Sequence, residues 1–118
     1  MITTLLVLFL LRAVSPISLE VTPRMQHAPV AGTGRIRILV TIPKNDQNRV
    51  GCVEVDGPVY RSSCFEIDGQ RHAYRQEWVY VDLPSGAYRA VAVLRQANGK
   101  QIQVKTDFCI IGDDNTGC

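Results

Sequence analysis

The 118-residue chain is short of the features that carry most chemistry. It has two histidines and one tryptophan, and no Cys-x-x-Cys, no Gly-x-Ser-x-Gly and no Asn-x-Ser/Thr. The first absence removes a dithiol redox pair, the second a serine nucleophile elbow, and the third an N-glycan acceptor. Basic residues never cluster: Lys and Arg total 13 against 11 Asp and Glu, spread along the chain for a net charge of +2. A nucleic-acid groove or a polybasic membrane patch needs local charge density, so both are excluded as expectations. Beyond the N-terminus no stretch has helical period, and no repeat or low-complexity tract occurs. Parallel pairing by helical crossovers, which need a dozen or more residues, is therefore not expected.

What is present begins with an apolar stretch, "MITTLLVLFLLRAVSPISLEV". Ile2 to Leu11 carry no charge and Arg12 ends the run. Ten residues rise about 15 Å as a helix, half of a ~30 Å hydrocarbon core. The length suits a signal-peptide h-region. Two details do not fit a signal peptide, however: no Lys or Arg precedes the run, and the small-residue site Ala13-Val14-Ser15 is followed by Pro16, which impedes cleavage. Residues 1–17 are read as a signal peptide or an N-terminal membrane anchor, 18–112 as one folded domain, and 113–118 as a polar tail. Membrane contact is expected only through 1–17.

From Ser18 onward the apolar period is two. "SLEVTP" places Leu19 and Val21 on one face before Pro23, and "MQHAPVAGTG" reads as a connection. "RIRILVTIP" turns Ile36, Ile38, Val40 and Ile42 inward, and "RVGCVEVDGP" turns Val53 and Val55 inward. "VYRSSCFEIDG" follows, with Phe65 and Ile67 on one side, then "AYRQEWVYVDLP" and "GAYRAVAVLRQANG". Asn98-Gly99 predicts a two-residue hairpin turn in which both residues take φ > 0. "KQIQVKTDFCIIG" closes the series, with Ile102, Val104, Phe108 and Ile110 inward. About seven strands with Gly/Pro/Asn punctuation predict an all-β, antiparallel Greek-key sandwich preceded by the apolar segment.

The segment Leu83-Pro84-Ser85-Gly86-Ala87-Tyr88 predicts how the chain passes from one sheet to the other. Leu83 plugs the core, Pro84 stiffens the exit, Gly86 permits the corner and Tyr88 locks it through a hydroxyl bond to the corner backbone. With "RAVAVLRQANGK" after it, this arrangement resembles the C-terminal half of immunoglobulin-like and fibronectin-III-like modules, many copies of which occur in bacterial surface proteins. The resemblance covers roughly Ser18 to Gly112 in strand pattern and implies an immunoglobulin-like fold, with little said about function. One departure is plain: antibody-type domains pair cysteines of the second and sixth strands, and neither strand here contains Cys.

Four cysteines in a small chain with an apolar N-terminus point to an oxidising, extracytoplasmic compartment, either secreted, periplasmic or at the cell surface. Of three pairings, local geometry favours Cys52 with Cys64 and Cys109 with Cys118. The first requires a hairpin loop centred on Pro58, because a two-residue Asp56-Gly57 turn would put Arg61 opposite Cys52. Zinc is not expected, since thiolates and His72 would have to converge from separate strands. Asp-Gly turns at Asp56 and Asp68 and the tail "GDDNTG" lack a full calcium-loop pattern. Cys64 with His72 lacks an orienting third group for nucleophilic catalysis, and His27 and Ser85 sit in turn-like segments. No catalytic residue, metal or cofactor is therefore predicted, and the chain is read as a non-enzyme.

One surface feature remains. If the strand Tyr74 to Pro84 alternates without interruption, Val79, Val81 and Leu83 face the core and Tyr74, Trp78 and Tyr80 form an outward aromatic stripe. Arg71, Arg75, Arg89 and Arg95 would rim it. Such a stripe suits a protein interface or sugar stacking. A bulge that shifts the register would instead put Trp78 into the core opposite Ala90 and Ala92. The functional expectation is a structural or accessory subunit that makes protein–protein contacts in a surface or membrane assembly. The alternative is a secreted carbohydrate-binding or adhesion module that uses the stripe. No nucleic acid is expected as a partner.

Overall fold

The computed structural model describes residues 17–28, 33–67 and 73–112. Residues 1–16, Asp68, Arg71, His72, the tail 113–118 and Cys118 lie outside the described residues. The strands are β1 (Ser18–Thr22), β2 (Met25–His27), β3 (Thr33–Ile42), β4 (Asn48–Asp56), β5 (Tyr60–Glu66), β6 (Tyr74–Pro84), β7 (Gly86–Gln96) and β8 (Gln101–Ile111). They form two packed sheets, ordered β1-β3-β6 and β2-β8-β7-β4-β5. This is an all-β sandwich. The chain changes sheet at β1–β2, β2–β3, β3–β4, β5–β6 and β6–β7, and its core forms where the two inner faces meet.

The inward rows follow from alternation. Ile36, Ile38, Val40 and Ile42 of β3 are buried, and so are Val53 and Val55 of β4. The sixth long strand contributes small residues, Ala90 and Ala92, between Tyr88 and Leu94. Small side chains there leave room for large ones from the facing sheet, which is how a sandwich fills its ~10 Å gap. Ile17, assigned from the sequence to the N-terminal segment, is only 2% exposed and belongs to the core.

The sheet-changing corner forms as its residues predict. Tyr88 donates its hydroxyl to the Pro84 carbonyl at 2.5 Å, and its ring stacks on Phe108 with centroids 4.9 Å apart. Burial pushes the Tyr88 phenol above its usual pKa, an effect partly offset by Arg61. Gly86 takes φ of 149°. The β4–β5 loop leans on this corner: a Cβ on Gly57 would lie 2.5 Å from the Tyr88 ring, and one on Gly86 2.4 Å from Pro58. The corner and the loop therefore fix one another.

The raised phenol has a pH consequence. A buried neutral Tyr resists ionisation that the unfolded chain undergoes near pH 10. Its contribution is complete below that pH and is lost as pH rises towards the folded-state value. Tyr88→Phe is expected to cost about 1 kcal/mol at pH 7, for the lost hydrogen bond. Its alkaline stability loss, read from urea midpoints between pH 8 and 11, should be shallower than the parent's. An equally steep alkaline loss in the variant would mean that other tyrosines cause it.

Two local expectations are corrected. The connection after Pro23 contains β2, which pairs parallel to β8 with Met25 opposite Cys109, so the described residues form eight strands. A cis Thr22–Pro23 bond lies where the chain passes from β1 to the other sheet. At the β7–β8 hairpin only Gly99 takes positive φ, at 85°. Gln96 accepts from the Gly99 N–H and donates to the Lys100 carbonyl, so the loop is longer than two residues. The Asn98 side chain instead accepts from the Lys100 N–H, which holds the turn without αL backbone at Asn98.

Candidate functional site

The aromatic row of β6 is turned inward. Tyr74, Gln76, Trp78 and Tyr80 are half-buried, whereas Val79 and Val81 are 43% and 49% exposed. Pairing with β3 shows why. Gly34 lies opposite Leu83 and Ile36 opposite Tyr80, so two residues of β6, Val81 and Asp82, face Arg35 alone. That is a bulge, and Asp82 adopts φ of 57° within it. Asp tolerates this left-handed region better than most residues. Leu83 and Tyr80 thus both point inward although three positions separate them, and counting back by twos from Leu83 misplaces the whole strand.

The inward rings meet the edge strand of the other sheet. Phe65 lies 5.5 Å from Trp78 and 6.2 Å from Tyr74, centroid to centroid. The Tyr80 and Ser63 hydroxyls are 2.6 Å apart. Gly51, opposite Phe65 on β4, leaves space for its ring, since a Cβ would come within 2.5 Å of it. These aromatics seal the β5–β6 flank of the sandwich and do not present a stacking platform to solvent. The arginines expected to rim one surface are divided: Arg75 lies on β6, while Arg89 and Arg95 lie on β7 in the other sheet.

The cysteines are placed by the hairpin. Asp56 pairs with Tyr60 across a loop centred on Pro58, which brings Cys52 opposite Cys64. The two form a disulfide. It lies on the outer face of the five-stranded sheet, since the alternate positions Val53 and Phe65 face inward. Cys64 therefore has no free thiol to pair with a histidine. Cys109 is also disulfide-bonded. Its expected partner, Cys118, lies outside the described residues. The Cys52–Cys64 bond is compatible with an extracytoplasmic location. Cys52→Ala/Cys64→Ala should lower stability by about 2–3 kcal/mol, because the bridge closes a short loop of the unfolded chain. Urea unfolding under non-reducing conditions would show it, and a loss below about 0.5 kcal/mol would mean the bridge constrains nothing.

Among the described residues no group of three His, Cys, Asp or Glu could hold a metal. His27 is exposed on the short edge strand β2, and Ser85 lies in the corner between β6 and β7. An open depression of about 740 Å³ lies beside the corner, lined by Arg24, Met25, Asp56, Arg89 and Asp107 among others. Its charges are mixed, and Arg89 is paired with Asp107 at 3.0 Å.

The extended surface is the outer face of the five-stranded sheet, where pairing registers align four strands into rows. One row runs Tyr60, Asp56, Arg89, Asp107, and the next Ser62, Glu54, Val91, Lys105. A third runs Cys64, Cys52, Val93, Gln103, and the fourth Glu66, Val50, Arg95, Gln101. Sequence reading missed this array, because no single strand contains more than one residue of any row, and only the β4–β5 hairpin brings two of them together locally. The composition of each strand was legible, but which strands stand side by side was not.

No protein-family model matches the chain, and a search of curated proteins returns no relative. The fold and the geometry above define it as a two-sheet β-sandwich.

Proposed function

We propose that this chain is a non-enzymatic, extracytoplasmic module of immunoglobulin-like or fibronectin-III-like type. In this reading it is a structural or accessory subunit that works through protein–protein contacts in a surface or membrane assembly. The strand order, a first strand divided between β1 and β2, and the Tyr88 corner support the immunoglobulin-like reading. The segment before Ile17, residues 1–16, serves as its export signal or its anchor, Ile17 itself being part of the core.

The observation that carries the interaction reading is the β5–β6 flank. Among the described residues β5 pairs only with β4, and β6 only with β3. The two edges are brought together by the Phe65–Trp78 and Ser63–Tyr80 contacts. Edge strands present unpaired backbone donors and acceptors to any chain that can add a strand. Two of the exposed large hydrophobics, Val79 and Val81, lie on β6 beside this edge.

Photo-crosslinking residues placed at Val79 and at Val81, in the native source, test this reading. A discrete adduct heavier than the 13.1 kDa chain is expected from at least one position, and none from a probe at Asn98 on the hairpin tip. The unmodified chain at both positions would overturn it. The intact mass of the native chain tells a secreted module from an anchored one, by loss or retention of the N-terminal segment.

A further inference from the structure

The outer face of the five-stranded sheet is electrically divided along its strands. On β4 and β5 it carries the carboxylates Glu54, Asp56 and Glu66. On β7 and β8 it carries Arg89, Arg95 and Lys105, with Asp107 tied to Arg89. The cation at the end of β4, Arg49, turns away to the carbonyls of Asp46 and Asn48. Among these charges, Val50 and Cys52 of β4 and Val91 and Val93 of β7 line the middle of the face, with Cys64 beside them on β5. Their outward side chains are part-covered, apart from Cys64, which is exposed. An acidic half beside a basic half, with apolar residues in the middle of the face, makes a surface that is complementary to itself.

We infer that this face pairs with a second copy of the chain, about a two-fold axis that runs along the strands over the β4–β7 seam. The charge layout selects the axis. A two-fold across the strands stacks β4 on β4 and β7 on β7 of the copy, so the acidic half lies over the acidic half and the basic half over the basic half. A two-fold along the strands stacks β4 and β5 on β7 and β8 of the copy, and each half then meets its opposite. Rows are preserved, so Asp56 meets Arg89 of the second copy. Glu54 comes over Val91 and beside Lys105, and the disulfide rests on Val93. The resulting sheets run nearly aligned, which is a standard packing of twisted sheets.

Four strands spaced ~4.8 Å and about seven residues long give a footprint of roughly 20 by 24 Å on each copy. Two such footprints are near the lower limit of specific interfaces, so the dimer is concentration- and salt-dependent. This inference deepens the contact reading above by naming one partner, and it uses a different surface from the β5–β6 flank.

Glu54 and Lys105 test it, because Val91 lies between them within one chain. Sedimentation of the full chain in mild detergent is expected to show a dimer of the 13.1 kDa chain that weakens with added salt. Glu54→Lys alone and Lys105→Glu alone should each weaken it at least about tenfold, since like charges then face each other twice. An equimolar mixture of the two variants should recover the parent affinity as a heterodimer, because both contacts again join opposite charges. That recovery also excludes misfolding as the cause of the single-variant losses. A parent that stays monomeric up to about millimolar concentration, where a specific interface of this size should associate, overturns the inference. Single variants that pair as tightly as the parent, or a mixture that fails to recover, overturn it equally. Failure here with persistent Val79 or Val81 adducts removes only the second copy as partner, whereas loss of those adducts removes the edge-contact reading.

Discussion

Trp78→Ala is expected to lower stability by about 3 kcal/mol, close to the cost of emptying a core site of an aromatic ring. The ring sits between Phe65 at 5.5 Å and the inner row of β3, where Ile38 is its direct cross-strand neighbour. Trp78→Phe keeps an aromatic contact and should cost less than about 1.5 kcal/mol. Urea unfolding followed by far-ultraviolet circular dichroism suits the comparison, because Trp78 is the sole tryptophan and its fluorescence disappears with it. A Trp78→Ala change within about 0.5 kcal/mol of the parent is the behaviour of a surface residue, and would place the ring in solvent after all. The same experiment therefore bears on carbohydrate stacking, which requires an exposed ring face.

Gly86→Ala should be comparably damaging, at about 3 kcal/mol, for two separable reasons. Its φ of 149° is a conformation that side chains disfavour, and its Cβ would stand 2.4 Å from the Pro58 ring. Truncating Pro58 to Ala relieves the second cost and leaves the first. In a double-mutant cycle, Gly86→Ala should therefore cost clearly less in the Pro58→Ala background than in the parent. Equal cost in both backgrounds would mean that backbone strain alone matters and that the β4–β5 loop does not rest on the corner. Because Tyr88 hangs from the same corner, its hydroxyl bond to Pro84 is expected to weaken in the same variant.

Much of this molecule is written locally. Period-two alternation in β3, β4, β7 and β8 fixes which side chains are buried, since a strand has only two faces. The pairing of Cys52 with Cys64 follows from a loop centred on Pro58, because hairpin register is a matter of loop length. The corner of Leu83, Pro84, Gly86 and Tyr88 is legible for the same reason: its determinants lie within six consecutive residues. The bulge in β6 was visible as an alternative, but nothing in the strand itself decides it. Asp82 can adopt left-handed backbone, and it does so here because both Leu83 and the rings before it are buried against β3 and β5.

The sequence by itself thus determined the strands, the sandwich, the hairpin disulfide and the locked corner, all of which depend on neighbours in the chain. Tertiary structure alone decided three things. It turned Tyr74, Trp78 and Tyr80 inward, since one extra residue opposite Arg35 reverses the face of everything before it. It recruited Met25–His27 as a strand, since a three-residue segment has no period of its own and takes its ladder from β8. And it assembled the divided charge of the outer face, since a row across four strands depends on their order in space, which no single strand encodes.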